Sequence, residues 1–421
     1  MTSPFDMMRF LRKPEDHLLA LQKKYGDPFP LSFPGAPDIW MTGNSELAKA
    51  VFSAPPDSFH VSVNNPVAPL LGGNGLIMQS GQSHLSLRKE FMPHFSKKTL
   101  SPLATPIADV FFDLYQKLEN SGTLVIQEFA LKSTLKVVLK FIFPHLNREE
   151  MDEAEKLTIN FLNSYSASFL FIPGWVPGTW KRFNRKKAQL DHRFYEFFLS
   201  LIAANSEGPL SNMKDAPKEY VLDHIRTFIV AGHETSATSL SWALYYIHKD
   251  VSIKKRLQDE LHVLADCSKD DFLNLILENQ FLDCIVKEAL RIHPPVPFVT
   301  RKIVNRSFTL GNRVLNVNDE LGVCIALLHR QPAIWENPSA FVPDRYIDRK
   351  YAPSEYAPFG GGTRKCIGSE FALLEMKILI GFLIRYCKSE LIGSNIPHPA
   401  VMQITIGPKK PISLSFSKSG S

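Results

Sequence analysis

Phe359-Gly360-Gly361-Gly362-Thr363-Arg364-Lys365-Cys366-Ile367-Gly368 is the stretch from which the rest of the chain can be read. Its glycines let the backbone come close to whatever the loop encloses, and helical periodicity follows directly over Ser369–Cys387. A cysteine just ahead of a helix sits in the positive potential of the helix N-terminus, and loop N–H groups add to that potential. Both effects favour the thiolate, the form that ligates a metal. A lone cysteine is in most chains an inert buried thiol. The loop around Cys366 argues instead for a ligand.

This segment resembles the haem-binding loop of cytochrome P450 enzymes, Phe-x-x-Gly-x-Arg-x-Cys-x-Gly, at every fixed position: Phe359, Gly362, Arg364, Cys366 and Gly368. At a residue usage of about 5%, five fixed positions arise by chance roughly once in ten thousand chains of this size. The resemblance implies haem b (iron protoporphyrin IX) contacted by Phe359 and Gly368, with Cys366 as the axial ligand of the iron. Thiolate ligation pushes electron density onto iron and favours O–O cleavage, which histidine ligation does far less.

Upstream, the longest helical pattern begins after Pro217, a good first-turn residue, and runs towards His248 with apolar positions at Val221, Ile225, Phe228, Leu240, Leu244 and Ile247. At 1.5 Å per residue it spans about 45 Å and crosses the whole body. Ala231-Gly232-His233-Glu234-Thr235 near its middle conflicts with simple core packing. Small residues at 231 and 232 let the helix pass close over a flat group, and a Thr hydroxyl can disturb the i−4 ladder enough to admit water. Alone, the acid and the Thr would read as a surface charge and a helix bend. The segment is similar to the family's acid–alcohol motif, which implies that Ala231 contacts the haem, Thr235 steadies activated dioxygen and Glu234 connects it to solvent. His233 holds the variable position and has no assigned role.

Glu288-Ala289-Leu290-Arg291 places a carboxylate and a guanidinium on one helix face, in isolation a solvated pair of little worth. In the family such a pair is buried with an arginine from a later loop, which Phe341-Val342-Pro343-Asp344-Arg345 matches. The resemblance implies an interior network of Glu288, Arg291 and Arg345 with a structural role. Haem propionates need cations. His84 and Arg88 stand one helical turn apart, and Arg301 and Arg364 lie beside matched motifs, so these four are the candidates.

The remaining features bound the reading. Hydrophobic residues make up 44% and charged ones 21% of 421 residues, enough for a large core. No Gly/Ser tract or charge block divides the chain, so 1–421 is expected to form a single domain. The excess of 48 Lys+Arg over 42 Asp+Glu is mild and spread out, which disfavours nucleic acid. Five cysteines, odd in number and without a close pair, exclude a disulfide framework and a zinc cluster and fit a reducing cytosol. The start lacks a basic segment before an apolar core, and no stretch reaches membrane-span length, so a soluble cytoplasmic protein is expected.

Helical periodicity covers Leu100–Asn120, Ile126–Phe143, Arg148–Ser168, Arg185–Ala204 and Asp270–Ile292, and strands are expected near Asp27–Phe33, Asp38–Thr42 and Ser307–Val317, the last turning at Gly311-Asn312. The fold class is mainly α with a small β region. The resemblance implies a single triangular body with the haem between the long central helix and the Cys366 loop.

The implied activity is insertion of one oxygen atom from O2 into an apolar substrate, with electrons from a separate redox partner. The soluble bacterial type implies a ferredoxin or flavodoxin with its reductase, and Lys89, Arg364 and Lys365 are expected to border the face that an acidic partner meets. Stretches rich in Leu, Ile, Val, Phe and Met around the distal side fit a fatty acid, terpenoid, polyketide or steroid, a long-chain lipid or terpenoid first. Ser168 to Pro177 could be a lid or a surface that touches membranes. A peroxide-driven peroxygenase is a rival that would not need Glu234-Thr235. A haem-based gas sensor is another, and it would usually bind through histidine.

Overall fold

The computed structural model describes residues 4–33, 37–62, 67–165, 179–204, 207–261, 267–393 and 397–418, the side chains of 4, 5, 69 and 179–188 excepted. The 168–177 stretch lies outside the described residues. The protein is mostly helical with small sheets, as its periodicity predicts.

The central helix, Lys218–Lys249, runs for 32 residues, about 48 Å. Pro217 caps it rather than occupying its first turn. It is buried nearly all round because it lies between other elements: Ile126–Ile142, Gln280–Ile292, Ser369–Tyr386 and the strand Ile406–Pro408 all pack on it. Gly232 serves this packing. A Cβ there would stand 2.9 Å from Val138 Cγ2 of the Ile126–Ile142 helix, so its smallness lets that helix approach closely.

The predicted helix over 270–292 is two helices, Lys269–Glu278 and Gln280–Ile292, broken at Asn279. The Asn279 side chain accepts the Leu282 N–H at 2.6 Å and caps the second one. The other predicted helices occur as Ala104–Lys117, Ile126–Ile142, Arg148–Asn163, Thr179–Ala204 and Ser369–Tyr386.

A five-stranded sheet runs in the order Phe29–Leu31, Ile39–Thr42, Glu320–Val323, Val299–Ile303, Phe59–His60. It is antiparallel except where Ile39–Thr42 meets Glu320–Val323. Ser121–Val125, Ser413–Lys418 and Cys387–Leu391 form a three-stranded antiparallel sheet. Phe308–Leu310 and Arg313–Leu315 make the predicted hairpin, with Gly311 at φ +61° in its turn.

Two arrangements fix the site. Phe95 stacks within 5.0 Å of Phe141 and 5.9 Å of Phe228 of the central helix, and Phe141 lies 4.8 Å from Phe371 of the Ser369–Tyr386 helix. The same Phe95 reaches the Cys366 loop, where a Cβ on Gly368 would meet its ring at 3.7 Å. Further off, Arg291 makes paired bonds to Glu288, both at 2.8 Å, and donates to the carbonyls of His329, Pro338 and Ala340. Arg345 Nε and the Val342 N–H complete Glu288 Oε1 at 3.0 and 2.9 Å. Among the described residues no helix is long and apolar enough to cross a membrane.

Candidate active site

The loop before the Ser369–Tyr386 helix is held by its own backbone: the Cys366 N–H donates to the Phe359 carbonyl at 2.8 Å. Gly360 and Gly362 take φ +68° and +67°, which L side chains rarely adopt. A Cβ on Gly361 would lie 2.5 Å from the Phe52 ring, and one on Gly362 2.1 Å from the Phe52 carbonyl oxygen. These two glycines therefore seat the loop on the end of the Ser45–Phe52 helix.

Cys366 is exposed, whereas Cys284, Cys324 and Cys387 are buried and Cys267 is half-buried. Yet burial among surrounding atoms pushes its thiol up, and the Gly368 N–H and the charges of Arg88 and Lys365 pull it down. The exposed Cys366 thus has a backbone N–H and two positive charges acting on its sulfur. That is the environment a metal-bound thiolate needs, since a cation at the sulfur would overcome the cost of desolvation.

The four predicted cations come together. Burial and then the charges of Arg364, Arg88 and Arg301 lower His84 to about 4. Burial, Arg301 and Arg88 lower Arg364 to about 9, and burial lowers Arg301 to about 10. Arg364 donates to the carbonyls of Gln79 and Ile77 at 2.7 and 2.8 Å, and Arg301 to that of Thr300 at 2.7 Å. None of the three arginines forms an ion pair with a described carboxylate. Mutually repelling, desolvated cations of this kind suit a dianionic ligand, so the site fits the propionates of a haem. Arg364 is turned inward and is not part of an exposed face, while Lys89 and Lys365 are exposed.

On the central helix, Ala231 and Thr235 are half-buried one turn apart within an otherwise buried stretch. The Thr235 hydroxyl donates to the Ala231 carbonyl at 2.5 Å, the back-bond that competes with the helix ladder. His233 faces the other way: its Nδ1 lies 3.2 Å from the Thr134 hydroxyl, and burial lowers it to about 4. Glu234 is largely buried, with its carboxyl turned to residues 403–405. It is 9% exposed, burial raises its carboxyl, and hydrogen bonds from Thr405, Ile404 and Gln403 oppose that rise. Sequence reading found Glu234 but not these partners. A carboxylate inside a buried helix signals that partners must exist, without saying where they are.

The cytochrome P450 family model matches residues 7–416. The putative cytochrome P450 135A1 of Mycobacterium tuberculosis (strain CDC 1551 / Oshkosh) is 27% identical, covering 95% of this chain and 90% of the relative. Cytochrome P450 4d8 of Drosophila melanogaster is 26% identical over 86% of this chain and 90% of its own length. The crystal structure of the haem domain of a cytochrome P450DA mutant superposes with a TM-score of 0.86 at 19% identity, covering 98% of this chain and 95% of the other. The fold agrees, the loop and cation cluster fit the cofactor, and the family match runs almost end to end: the chain belongs to the cytochrome P450 family and is a haem b-dependent haem-thiolate monooxygenase.

Proposed function

We propose that Cys366 ligates the haem iron, that His84, Arg88, Arg301 and Arg364 bind the propionates, and that Ala231, Phe359 and Gly368 border the macrocycle. The observation that carries this reading is the exposed Cys366 beside the Gly368 N–H, together with three arginines that lack described carboxylate partners. When bound, the haem supplies reductive activation of dioxygen. The chain's own residues then hold and move protons. The Thr235 hydroxyl serves as the local hydrogen-bonding group on the helix, and the Glu234 carboxylate beside it relays protons towards it.

The substrate is apolar, with a long-chain lipid or terpenoid the first choice. Half-exposed Ile77, Met78, Val299 and Ile404 support this, two of them close to the site: Arg364 bonds the Ile77 carbonyl, and a Cβ on Gly360 would touch Val299 at 3.8 Å. Electrons come from a ferredoxin or flavodoxin with its reductase, and exposed Lys89 and Lys365 favour an acidic one.

Replacing the sulfur tests the assignment. Cys366→Ser abolishes the thiolate-type absorption of the ferrous–CO complex and all oxygenation. Retention of that band would move the ligand to another cysteine.

A further inference from the structure

The hairpin of Pro399–Val401 and Ile406–Pro408 turns at 402–405 directly on the central helix. The Met402 N–H closes the turn on the Thr405 carbonyl at 2.9 Å, and the Ile406 N–H ties the hairpin to the Pro295 carbonyl at 2.9 Å. A carboxylate of the central helix supplies most of its remaining hydrogen bonds. Glu234 Oε1 accepts from the Gln403 N–H at 3.1 Å, the Ile404 N–H at 3.3 Å and the Thr405 hydroxyl at 2.8 Å, and Oε2 accepts from the Ile404 N–H at 3.2 Å.

Thr405 Oγ1 also lies 3.0 Å from the Thr238 hydroxyl, one helical turn beyond Glu234. A hydroxyl has one proton to give. When Thr405 donates to the ionised Glu234, Thr238 must donate to Thr405, so the three side chains form a directed chain that ends on the carboxylate. The approach is close: a Cβ on Gly407 would come within 2.9 Å of Met402 Cγ and 3.5 Å of Thr238 Oγ1. Thr405 itself is 1% exposed. The carboxylate that neighbours Thr235 is thus held by a turn whose Ile404 packs on the main core and whose Met402 is exposed.

We propose that Thr405 is a positioning residue of the reaction: its hydroxyl seats the 402–405 turn on the central helix and fixes the Glu234 carboxylate beside Thr235. The placing of the turn and the placing of the acid are then coupled through the Thr405 hydroxyl. The part concerning the acid rests on the proposed role of Glu234. The part concerning the turn rests on the hydrogen bonds alone.

The test compares Thr405→Val, Thr405→Ser, Glu234→Gln, Glu234→Ala and the double variant Thr405→Val/Glu234→Ala in the haem-loaded protein. Spectral titrations with imidazole and with 4-phenylimidazole give the ratio of their dissociation constants, which reports the room beside the metal apart from its ligation. A difference of about 1 kcal/mol between the effects on the two ligands corresponds to about a fivefold change in that ratio. Thr405→Val and Glu234→Ala should each produce it. Thr405→Ser should restore the wild-type ratio, and the double variant should change no more than the larger single one. A Thr405→Val ratio within twofold of wild type, with the ferrous–CO band retained, overturns the proposal; so does failure of Thr405→Ser to restore it. Solvent isotope effects on substrate-free NADH oxidation through a surrogate ferredoxin system separate the two readings. An unchanged effect in Glu234→Gln removes the proton role of Glu234 and leaves the ligand ratio to judge Thr405.

Discussion

Two groups of charge inside this protein are built in opposite ways. Around Glu288, each positive group has an internal answer: Arg291 donates to both carboxylate oxygens and three carbonyls, and Arg345 adds a further bond at 3.0 Å. Around His84, three arginines crowd one imidazole with no described carboxylate among them, and their basicities fall. The first group sets one carboxylate and four backbone carbonyls against two guanidiniums. The second leaves positive charge unspent, which a bound anion would offset and so stabilise the fold. Charge complementarity within the fold therefore separates a structural cluster from a binding one, although both consist of arginines.

The largest expected effect breaks the internally paired cluster. Glu288→Ala strands Arg291 and Arg345 in a buried region, where an uncompensated charge costs about 3–5 kcal/mol. Urea denaturation of the apoprotein measures it. A loss below about 1 kcal/mol would place Glu288 with ordinary surface pairs and erase the contrast.

The next effect has the opposite signature. Arg364→Ala removes one of the mutually repelling cations, so the apoprotein should keep or slightly gain stability even though two hydrogen bonds to Ile77 and Gln79 are lost. Haem retention should fall, because a charge-assisted bond to a propionate contributes about 1.5–3 kcal/mol, or roughly ten- to a hundredfold in affinity. Haem transfer to an excess of a scavenging apoprotein gives the ratio. Destabilisation of the apoprotein with unchanged haem retention would reassign Arg364 to the structural class.

Much of this was legible in the sequence where the signal is local. Cys366 and its loop announce themselves within ten residues, and the long helix follows from periodicity. What was not legible depends on partners far away in the chain. Val138, which approaches Gly232 closely, lies about 90 residues away in the chain. The 403–405 turn that binds the Glu234 carboxylate lies about 170 residues later. Arg364 reads as part of an exposed face until its bonds to Ile77 and Gln79 turn it inward. Short strands fail for the same reason: Glu320–Val323 is buried at all four positions and pairs in parallel with Ile39–Thr42, so no alternation marks it. The break at Asn279 was local and readable as a cap inside a helical run.

The smallest expected effect sharpens the comparison by titration. His84 lies at about 4 in the folded chain against 6.5 for an ordinary histidine, first through burial and then through Arg364, Arg88 and Arg301. Between those two values the unfolded chain binds a proton that the folded chain refuses, so stability falls as pH drops from 6.5 towards 4 and is flat with respect to this group above 6.5. Each unit is worth about 1.4 kcal/mol, and the partly open surroundings reduce the total to about 1–2 kcal/mol. Other depressed histidines, His233, His248 and His329, add to the acid sensitivity of the whole protein, so the difference between wild type and His84→Gln isolates this one. Urea midpoints of the apoproteins at pH 6.5 and 4.5 should show His84→Gln losing about 1–2 kcal/mol less than wild type. With haem bound, negative propionates among the arginines raise His84 towards its ordinary value, and the difference between the two proteins shrinks. If the gap stays the same in apoprotein and haem-loaded protein, no anion reaches this cluster, and the positive charge around His84 must have another purpose than holding the cofactor.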